Sequence, residues 1–252
     1  MAHWVFHGPA KVILMSHRFF VGQAIQSDQV ELDGPEAHHL LHVLRASIGQ
    51  QVTLLDGSGF EFLARITAHD RRRAQLEVVE RVQADRELAW ELVVGVALPK
   101  GDRQRWLVEK AVELGTTRMV PLVTERGVNR PSSSALARLR RTVVEASKQC
   151  GRNVLMDFDA AQPLQNFLND APKSGLRIVA HPSGPAAPSS GLQLPVRPPG
   201  EPIFIAIGPE GGFTDTEWQQ ACESGWQSVD LGPRILRIET AALALVAALT
   251  LT

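Results

Sequence analysis

The segment IAIGPEGGFT, residues 205–214, decides how the carboxyl-terminal part of the chain folds. It begins inside an apolar run that is typical of a strand buried on both faces. Thr214, followed three residues later by Glu217, is the capping-box pattern that begins a helix. A strand, a tight glycine loop and a helix are therefore predicted in direct succession. Glycine at such a loop lets a ligand approach the backbone closely.

A second loop of the same kind follows about twenty residues later, in LGPRILRIETA, residues 231–241. Gly232-Pro233 turns the chain after a short apolar stretch, and a helix of small and apolar residues follows. Either loop alone is also compatible with a purely structural turn. Together, each at the carboxyl end of a strand, they can close around one small ligand.

The residues of the first loop favour a neutral or cationic ligand. A phosphate at the helix start is the obvious alternative. However, the Lys-Ser or Lys-Thr of a P-loop and the pattern GxGxxG are both missing, and Glu210 would repel a phosphate. The absence of GxGxxG also argues against a nucleotide-dependent dehydrogenase.

The pattern along the chain predicts three parts. Residues 1–15 are an extension without fold information. Residues 16–85 are rich in short strands, with a hairpin turn at residues 56–59 and one short helix at 35–44, which favours a small β-barrel. Residues 86–252 alternate buried strands with helices, which predicts an α/β domain with a mostly parallel sheet. Asp102 is predicted to cap the first helix of that domain.

Composition and charge limit the partners and the location that the chain can be expected to have. The formal net charge is −1 over 252 residues, so an RNA partner must be met by local basic clusters. The longest apolar run, residues 241–251, is too short to span a membrane. Cys150 and Cys222 form no CxxC and are interpreted as buried thiols, and no signal peptide is visible, which favours a cytoplasmic protein. The eight histidines form no metal set.

The two loops, residues 208–213 and 231–241, resemble the signature loops of the SPOUT methyltransferases. The similarity is greatest to the 16S ribosomal RNA uridine N3-methyltransferase family, and it extends over residues 16–252. Further matching segments are PKGD at 99–102, ELG at 113–115, QCGR at 149–152 and HHL at 38–40. The resemblance implies a PUA-like RNA-binding barrel, a trefoil-knot domain that binds S-adenosylmethionine, and a homodimer without metal.

The resemblance also implies a cofactor pocket. Its residues would come from the ends of three strands and the second loop: Ala180, His181, Gly208, Pro209, Glu210, Gly211, Gly212, Leu231, Gly232, Leu236 and Ile238. Two positions depart from the family pattern. Ile238 stands where a small or hydroxylated residue is frequent, and Gly127 stands where serine is frequent.

Methylation of uracil N3 requires an unpaired base and loss of the N3 proton. Arg237 or Arg126 is the candidate to stabilise the developing negative charge, and Glu210 is a weaker candidate for proton acceptor. The alternative for Arg237 is an ion pair with Glu239 or with a partner subunit. Candidate phosphate contacts lie in basic clusters: Arg18, Arg71, Arg72, Arg73, Arg138, Arg141 and Arg152.

Two other functions remain open at this point. One is a SPOUT methyltransferase that modifies another ribosomal or transfer RNA nucleotide. The other is a non-catalytic RNA-binding assembly factor with the same fold. Binding of S-adenosylmethionine distinguishes the second from an enzyme.

Overall fold

A computed structural model describes residues 17–127, 130–181, 194–196 and 199–251. The chain divides into two compact units, with the boundary between Asp85 and Arg86. The predicted extension, residues 1–15, lies outside the described residues.

The first unit is built on a five-stranded sheet in the order β1-β3-β4-β5-β2. Its strands are β1 (Arg18–Phe20), β2 (Gln29–Leu32), β3 (Gln51–Leu55), β4 (Phe60–His69) and β5 (Ala74–Gln83). The predicted hairpin at residues 56–59 is confirmed, because β3 and β4 pair antiparallel across it. The register between β4 and β5 shifts at Leu63/Ala64 and at Ile66/Ala68, and such bulges bend a sheet. The bend lets one apolar face enclose Phe19, Leu40, Leu54 and Leu76 in a single core.

A helical segment follows β2, at the position that the sequence predicts. It begins as helix α1 (Gly34–His38) and continues as a π-helical turn over His39–Val43. Ala37 and Leu40 on its inner face are fully buried.

The second unit is an α/β domain. Its strands are β6 (Leu92–Val96), β7 (Arg118–Val123), β8 (Asp157–Phe158), β9 (Gln162–Pro163), β10 (Leu176–Ala180), β11 (Ile203–Ile207) and β12 (Gln227–Val229). Its helices are α2 (Arg103–Glu113), α3 (Ser133–Cys150), α4 (Leu164–Asp170), α5 (Asp215–Glu223) and α6 (Ile238–Thr250). The strand order is β12-β10-β11-β6-β7-β8, with β9 also beside β7. Every pairing is parallel, which confirms the predicted fold class.

The sheet is buried on both faces because its strands alternate between two cores. Ile203, Ile205 and Ile207 point into the core that α2, α3 and α6 cover. Phe204 and Ala206 point into the opposite core, with Leu164 and Phe167 of α4 and Ala221 of α5. These strands therefore read as continuous apolar runs.

The last helix returns to the middle of the sheet. In the sheet, β11 lies between β10 and β6, two strands that both precede it in the chain. After β12, at the edge, α6 packs against α2, β6 and β11. The trefoil knot that the resemblance implies stays a prediction.

Three local expectations differ from the structure. Asp102 occupies the residue before α2, but its side chain makes no capping hydrogen bond and its backbone is already helical. Cys222 is exposed and Cys150 is half-buried, so neither is the buried thiol that was predicted. The short strands β2, β8 and β9 are not predicted, because two to four residues are too few to show a clear alternation.

Candidate functional site

Three adjacent parallel strands end at one edge of the sheet and carry the predicted cofactor residues there. β12, β10 and β11 are neighbours in that order, so their carboxyl ends lie side by side. The backbone N–H of His181, just after β10, donates to the carbonyl oxygen of Val229 at the end of β12, at 3.1 Å. The structure thus brings Ala180 and His181 close to the starts of both glycine loops.

The first loop is a tight turn that glycine makes possible. Gly212 has a φ of +68°, a conformation that other residues rarely adopt. Its N–H donates to the carbonyl oxygen of Pro209 at 2.8 Å and closes the turn. A Cβ on Gly208 would lie 3.2 Å from the ring of Phe213, and one on Gly211 would lie 3.5 Å from the Cβ of Arg126. The backbone of this loop is therefore closely packed on its protein side.

Two side chains hold the first loop in place. Arg126 donates from Nη1 to the carbonyl oxygens of Gly211 and Phe213, at 3.1 and 3.2 Å. Buried Glu217 accepts from the N–H groups of Thr214 and Glu125, both at 2.9 Å, and the predicted capping box is present. Because Arg126 donates its hydrogen bonds to the loop itself, Arg237 is favoured over Arg126 as the residue that would contact a base.

The second loop turns at Gly232, whose φ is +102°. Its N–H donates to Oδ1 of Asp230 at 2.8 Å. Leu231 and Leu236 are half-buried and present apolar surface, whereas the side chain of Ile238 lies in the core. Arg237 is exposed and is the residue immediately before α6.

Arg103 is a residue of this site that the sequence reasoning missed. It is the first residue of α2, and its guanidinium lies between two carboxylates. Nη2 is 3.4 Å from Oε1 of Glu210 in the first loop, and Nη1 is 3.5 Å from Oε2 of Glu239 at the start of α6. Glu239 therefore has Arg103 as an ion-pair partner, and the alternative of an ion pair between Arg237 and Glu239 or a partner subunit stays a prediction.

The ring of His181 stacks on Trp218 of α5, with centroids 4.2 Å apart and an angle of 20° between the planes. This contact connects the end of β10 to the helix that follows the first loop. Trp218 is half-buried, so one part of its ring is covered and another reaches the surface.

The arrangement fits S-adenosylmethionine. Its adenosine requires apolar surfaces and backbone hydrogen bonds, which Leu231, Leu236 and the turn at 208–212 can provide. Its sulfonium is a cation, which the carboxylates of Glu210 and Glu239 beside the loops can tolerate. No group of three or more His, Cys, Asp or Glu side chains in the described segments is arranged to hold a metal ion.

In the first unit, Arg71 and Arg72 line an open groove with Gly34, His38 and His42, of about 280 Å³. The imidazole rings of His38 and His42 are 4.9 Å apart, and Nε2 of His42 is 3.0 Å from the carbonyl oxygen of Arg71. The backbone N–H groups of Arg72 and Arg73 donate to the carboxylate of Asp70, and these bonds hold the turn in shape. They also lower the pKa of Asp70. The guanidinium of Arg73 instead pairs with Glu31 at 3.1 Å.

The other predicted phosphate contacts divide into two groups. Arg138 and Arg141 are exposed on α3, where they could reach RNA. Arg18 has its Nε 3.9 Å from the carboxylate of buried Glu61, and its contact with RNA stays a prediction. Arg152 is 4% exposed and is bound by Glu87 and by the carbonyl oxygens of Val112 and Thr116. Contrary to prediction, Arg152 therefore supports the fold and is not placed to bind phosphate.

Comparison with known protein families shows which family this chain belongs to. Residues 86–250 match the RNA methyltransferase domain family, and residues 32–79 match the RNA methyltransferase PUA domain. The chain belongs to this RNA methyltransferase family. The first match covers the second unit, which contains both glycine loops. The other lies within the first unit.

Relatives are similar over most of the chain. The ribosomal RNA small subunit methyltransferase E of Synechocystis is 33% identical over 229 residues, which is 90% of this chain and 75% of the relative. The protein of the same name from Bacillus subtilis is 29% identical over 239 residues, with 90% and 92% covered.

Two solved structures share the fold at full length. The ribosomal RNA small subunit methyltransferase E of Neisseria gonorrhoeae, bound to S-adenosylmethionine, superposes with a TM-score of 0.81 at 32% identity and covers 93% of this chain and 96% of that one. A methyltransferase from Legionella pneumophila with bound S-adenosylmethionine gives a TM-score of 0.82 at 29% identity, with 94% and 98% covered. Among the described residues, no helix combines the length and apolar character needed to cross a membrane.

Proposed function

We propose that this chain methylates N3 of a uracil in 16S ribosomal RNA of the small subunit, with S-adenosylmethionine as the methyl donor. The observation that carries the proposal is the pair of glycine loops at neighbouring strand ends, in a chain that is 32% identical at full length to an enzyme bound to that cofactor. The names of the relatives support the small-subunit RNA as the substrate. The N3 position comes from the family that the sequence resembles.

In this proposal the protein accelerates the reaction mainly by positioning the two reactants. Bound S-adenosylmethionine supplies an electrophilic methyl group. The uracil must be unpaired for N3 to reach it, and the N3 proton leaves as the N–C bond forms. Holding both partners in line supplies much of the rate.

Arg237 is the best-placed cation for the base. It is exposed beside the second loop, at the start of α6, and could stabilise negative charge on a uracil carbonyl. Glu210 stays the candidate proton acceptor, although Arg103 lies 3.4 Å from its carboxylate. Arg126 is assigned to holding the first loop.

On the RNA side, the groove with Arg71 and Arg72 is proposed to bind backbone phosphate. Arg71 and Arg72 are both exposed there. Arg138 and Arg141 form a second basic surface in the other unit. Because the whole chain has a net charge of −1, these local clusters must supply the attraction.

The protein is further proposed to act as a cytoplasmic homodimer. α6 supports this proposal, because its half-buried residues include Leu243, Ala247 and Leu249. Sedimentation analysis at micromolar concentration tests it, with a single species of 27.5 kDa as the result that would reject it.

The deciding experiment is methylation of small subunits from cells that lack this modification. The purified chain is incubated with them and with isotopically labelled S-adenosylmethionine, and the labelled nucleotide is mapped by mass spectrometry. Label at N3 of one uracil supports the proposal. Label on another nucleotide or on transfer RNA would reassign the substrate. Cofactor binding that cannot be detected would favour a non-catalytic assembly factor.

A further inference from the structure

We propose that Arg103 is a positioning residue that couples the two cofactor loops to each other. The inference rests on the proposed function, because it assumes that these loops bind S-adenosylmethionine. Arg103 belongs to neither loop, and its role is visible only from the ion pairs that it forms.

The first step is the position of the guanidinium. Its Nη2 lies 3.4 Å from Glu210 of the first loop, and its Nη1 lies 3.5 Å from Glu239 at the start of α6, where the second loop ends. Side chains 107 and 136 residues away along the chain are thus brought to one group. A planar guanidinium group with several donors suits contact with two carboxylates better than a lysine ammonium group does.

The second step is the state of Glu239. Its side chain is 7% exposed, and its Oε2 has no hydrogen-bond partner among the described residues. A buried carboxylate without a cation is strongly unfavourable. The cation nearest to it is Arg103, so Glu239 holds Arg103 at the start of α6. Glu210, with a side chain 45% exposed, is the solvent-exposed side of the bridge.

The third step concerns what else holds the first loop. Arg126 binds the loop at Gly211, inside the turn, and at Phe213, just after it. Glu210 is bound by Arg103 alone in the hydrogen bonds of the described chain. Without Arg103, the loop would keep its attachment to Arg126 and lose the one that joins it to the second loop. We therefore expect the binding-competent form of the pocket to be populated less often. The apparent cofactor affinity then falls in proportion to the fraction of molecules in that form.

The test is calorimetric titration of the full chain with S-adenosylmethionine. We expect Arg103→Gln to raise the Kd about tenfold, and Arg103→Lys to recover part of the loss. Arg105→Gln is the matched control, since Arg105 is exposed on the same helix and its affinity effect should be small.

A double-mutant cycle separates coupling from a general loss of structure. Glu239→Gln is measured alone and together with Arg103→Gln, with thermal unfolding followed in parallel. If the pair acts as a unit, its effects on Kd should be far from additive, and the neutral double variant should unfold no earlier than Arg103→Gln. An unchanged Kd in Arg103→Gln, or effects that simply add, would overturn the proposal. Failure of the original chain to bind the cofactor would instead reject the proposed function.

Discussion

At the scale of single residues, the site depends on side chains that fix backbone loops. Glu217 shows this most clearly, because one buried carboxylate accepts from Glu125 and Thr214 and so joins two loops. The half of this arrangement that lies within one helix turn could be predicted from Thr214 and Glu217 in the sequence. The bond to Glu125 could not, since the two residues are 92 positions apart.

Replacing Glu217 by alanine should therefore destabilise the second unit by about 1–3 kcal/mol, since it leaves buried N–H groups without acceptors. Denaturant unfolding measures the loss. Gln219→Ala is the control, because Gln219 only joins an exposed pair with Glu223 on the same helix. Equal small effects of both changes would contradict the assigned role.

Arg237→Ala should lower single-turnover methylation by about 10²-fold while cofactor affinity, measured separately, stays the same. The physical reason is loss of the cation expected beside the uracil carbonyl. Arg234→Ala, an exposed arginine of the same loop, should change the rate little. Undiminished turnover in Arg237→Ala would remove Arg237 from the mechanism.

The basic residues show where sequence reasoning stops. Arg152 and Arg138 look alike as members of charged clusters, yet one is buried against Glu87 and the other is exposed. The difference depends on a carboxylate 65 residues away from Arg152. Arg103 was missed for the same reason, since its partners are distant in sequence.

At the scale of elements, close approach between strand and helix requires Gly95 in β6. A Cβ at this position would lie 2.5 Å from the ring of Phe167 in α4. Gly95→Ala should cost about 1–3 kcal/mol in the free energy of unfolding, because the core is already filled. Gly22→Ala provides the comparison, as its added Cβ meets no atom within 4 Å.

A second variant makes that test specific. Phe167→Leu removes part of the ring that Gly95 faces, so Gly95→Ala should cost less in its presence. If the cost is the same in both backgrounds, the contact with Phe167 does not explain it.

The turn that carries Arg71 and Arg72 should act as a phosphate contact. The double variant Arg71→Ala, Arg72→Ala should bind ribosomal RNA more weakly, and the slope of log affinity against log salt should fall by up to about 2. Arg65→Ala removes an exposed charge on β4, outside the groove, and serves as the control. An unchanged slope in the double variant would exclude the groove from RNA binding.

At the scale of the whole molecule, the separate cores suggest that the two units are independent domains. The core around Phe19 and Leu54 shares no residue with the two cores on the sheet of the second unit. This division could be predicted because the residue pattern changes from short strands to alternating strands and helices near residue 86. The strand order within the second unit could not, since β11 enters between two earlier strands.

A fragment of residues 86–252 should therefore fold alone and bind S-adenosylmethionine with an affinity within a few-fold of the full chain. Its affinity for ribosomal RNA should fall strongly, because the Arg71–Arg72 groove is absent. Circular dichroism and calorimetry check the two statements. A fragment that is unfolded would show that the units depend on each other.

The stack of His181 on Trp218 has a practical consequence for kinetics. Indole fluorescence depends on what touches the ring, and this ring lies 4.2 Å from a residue at the end of β10, among the proposed cofactor contacts. With the remaining tryptophans replaced by phenylalanine, Trp218 would be the only such emitter in the protein. Stopped-flow traces of its emission would then follow cofactor entry in milliseconds, before any methyl group has moved and without an attached dye.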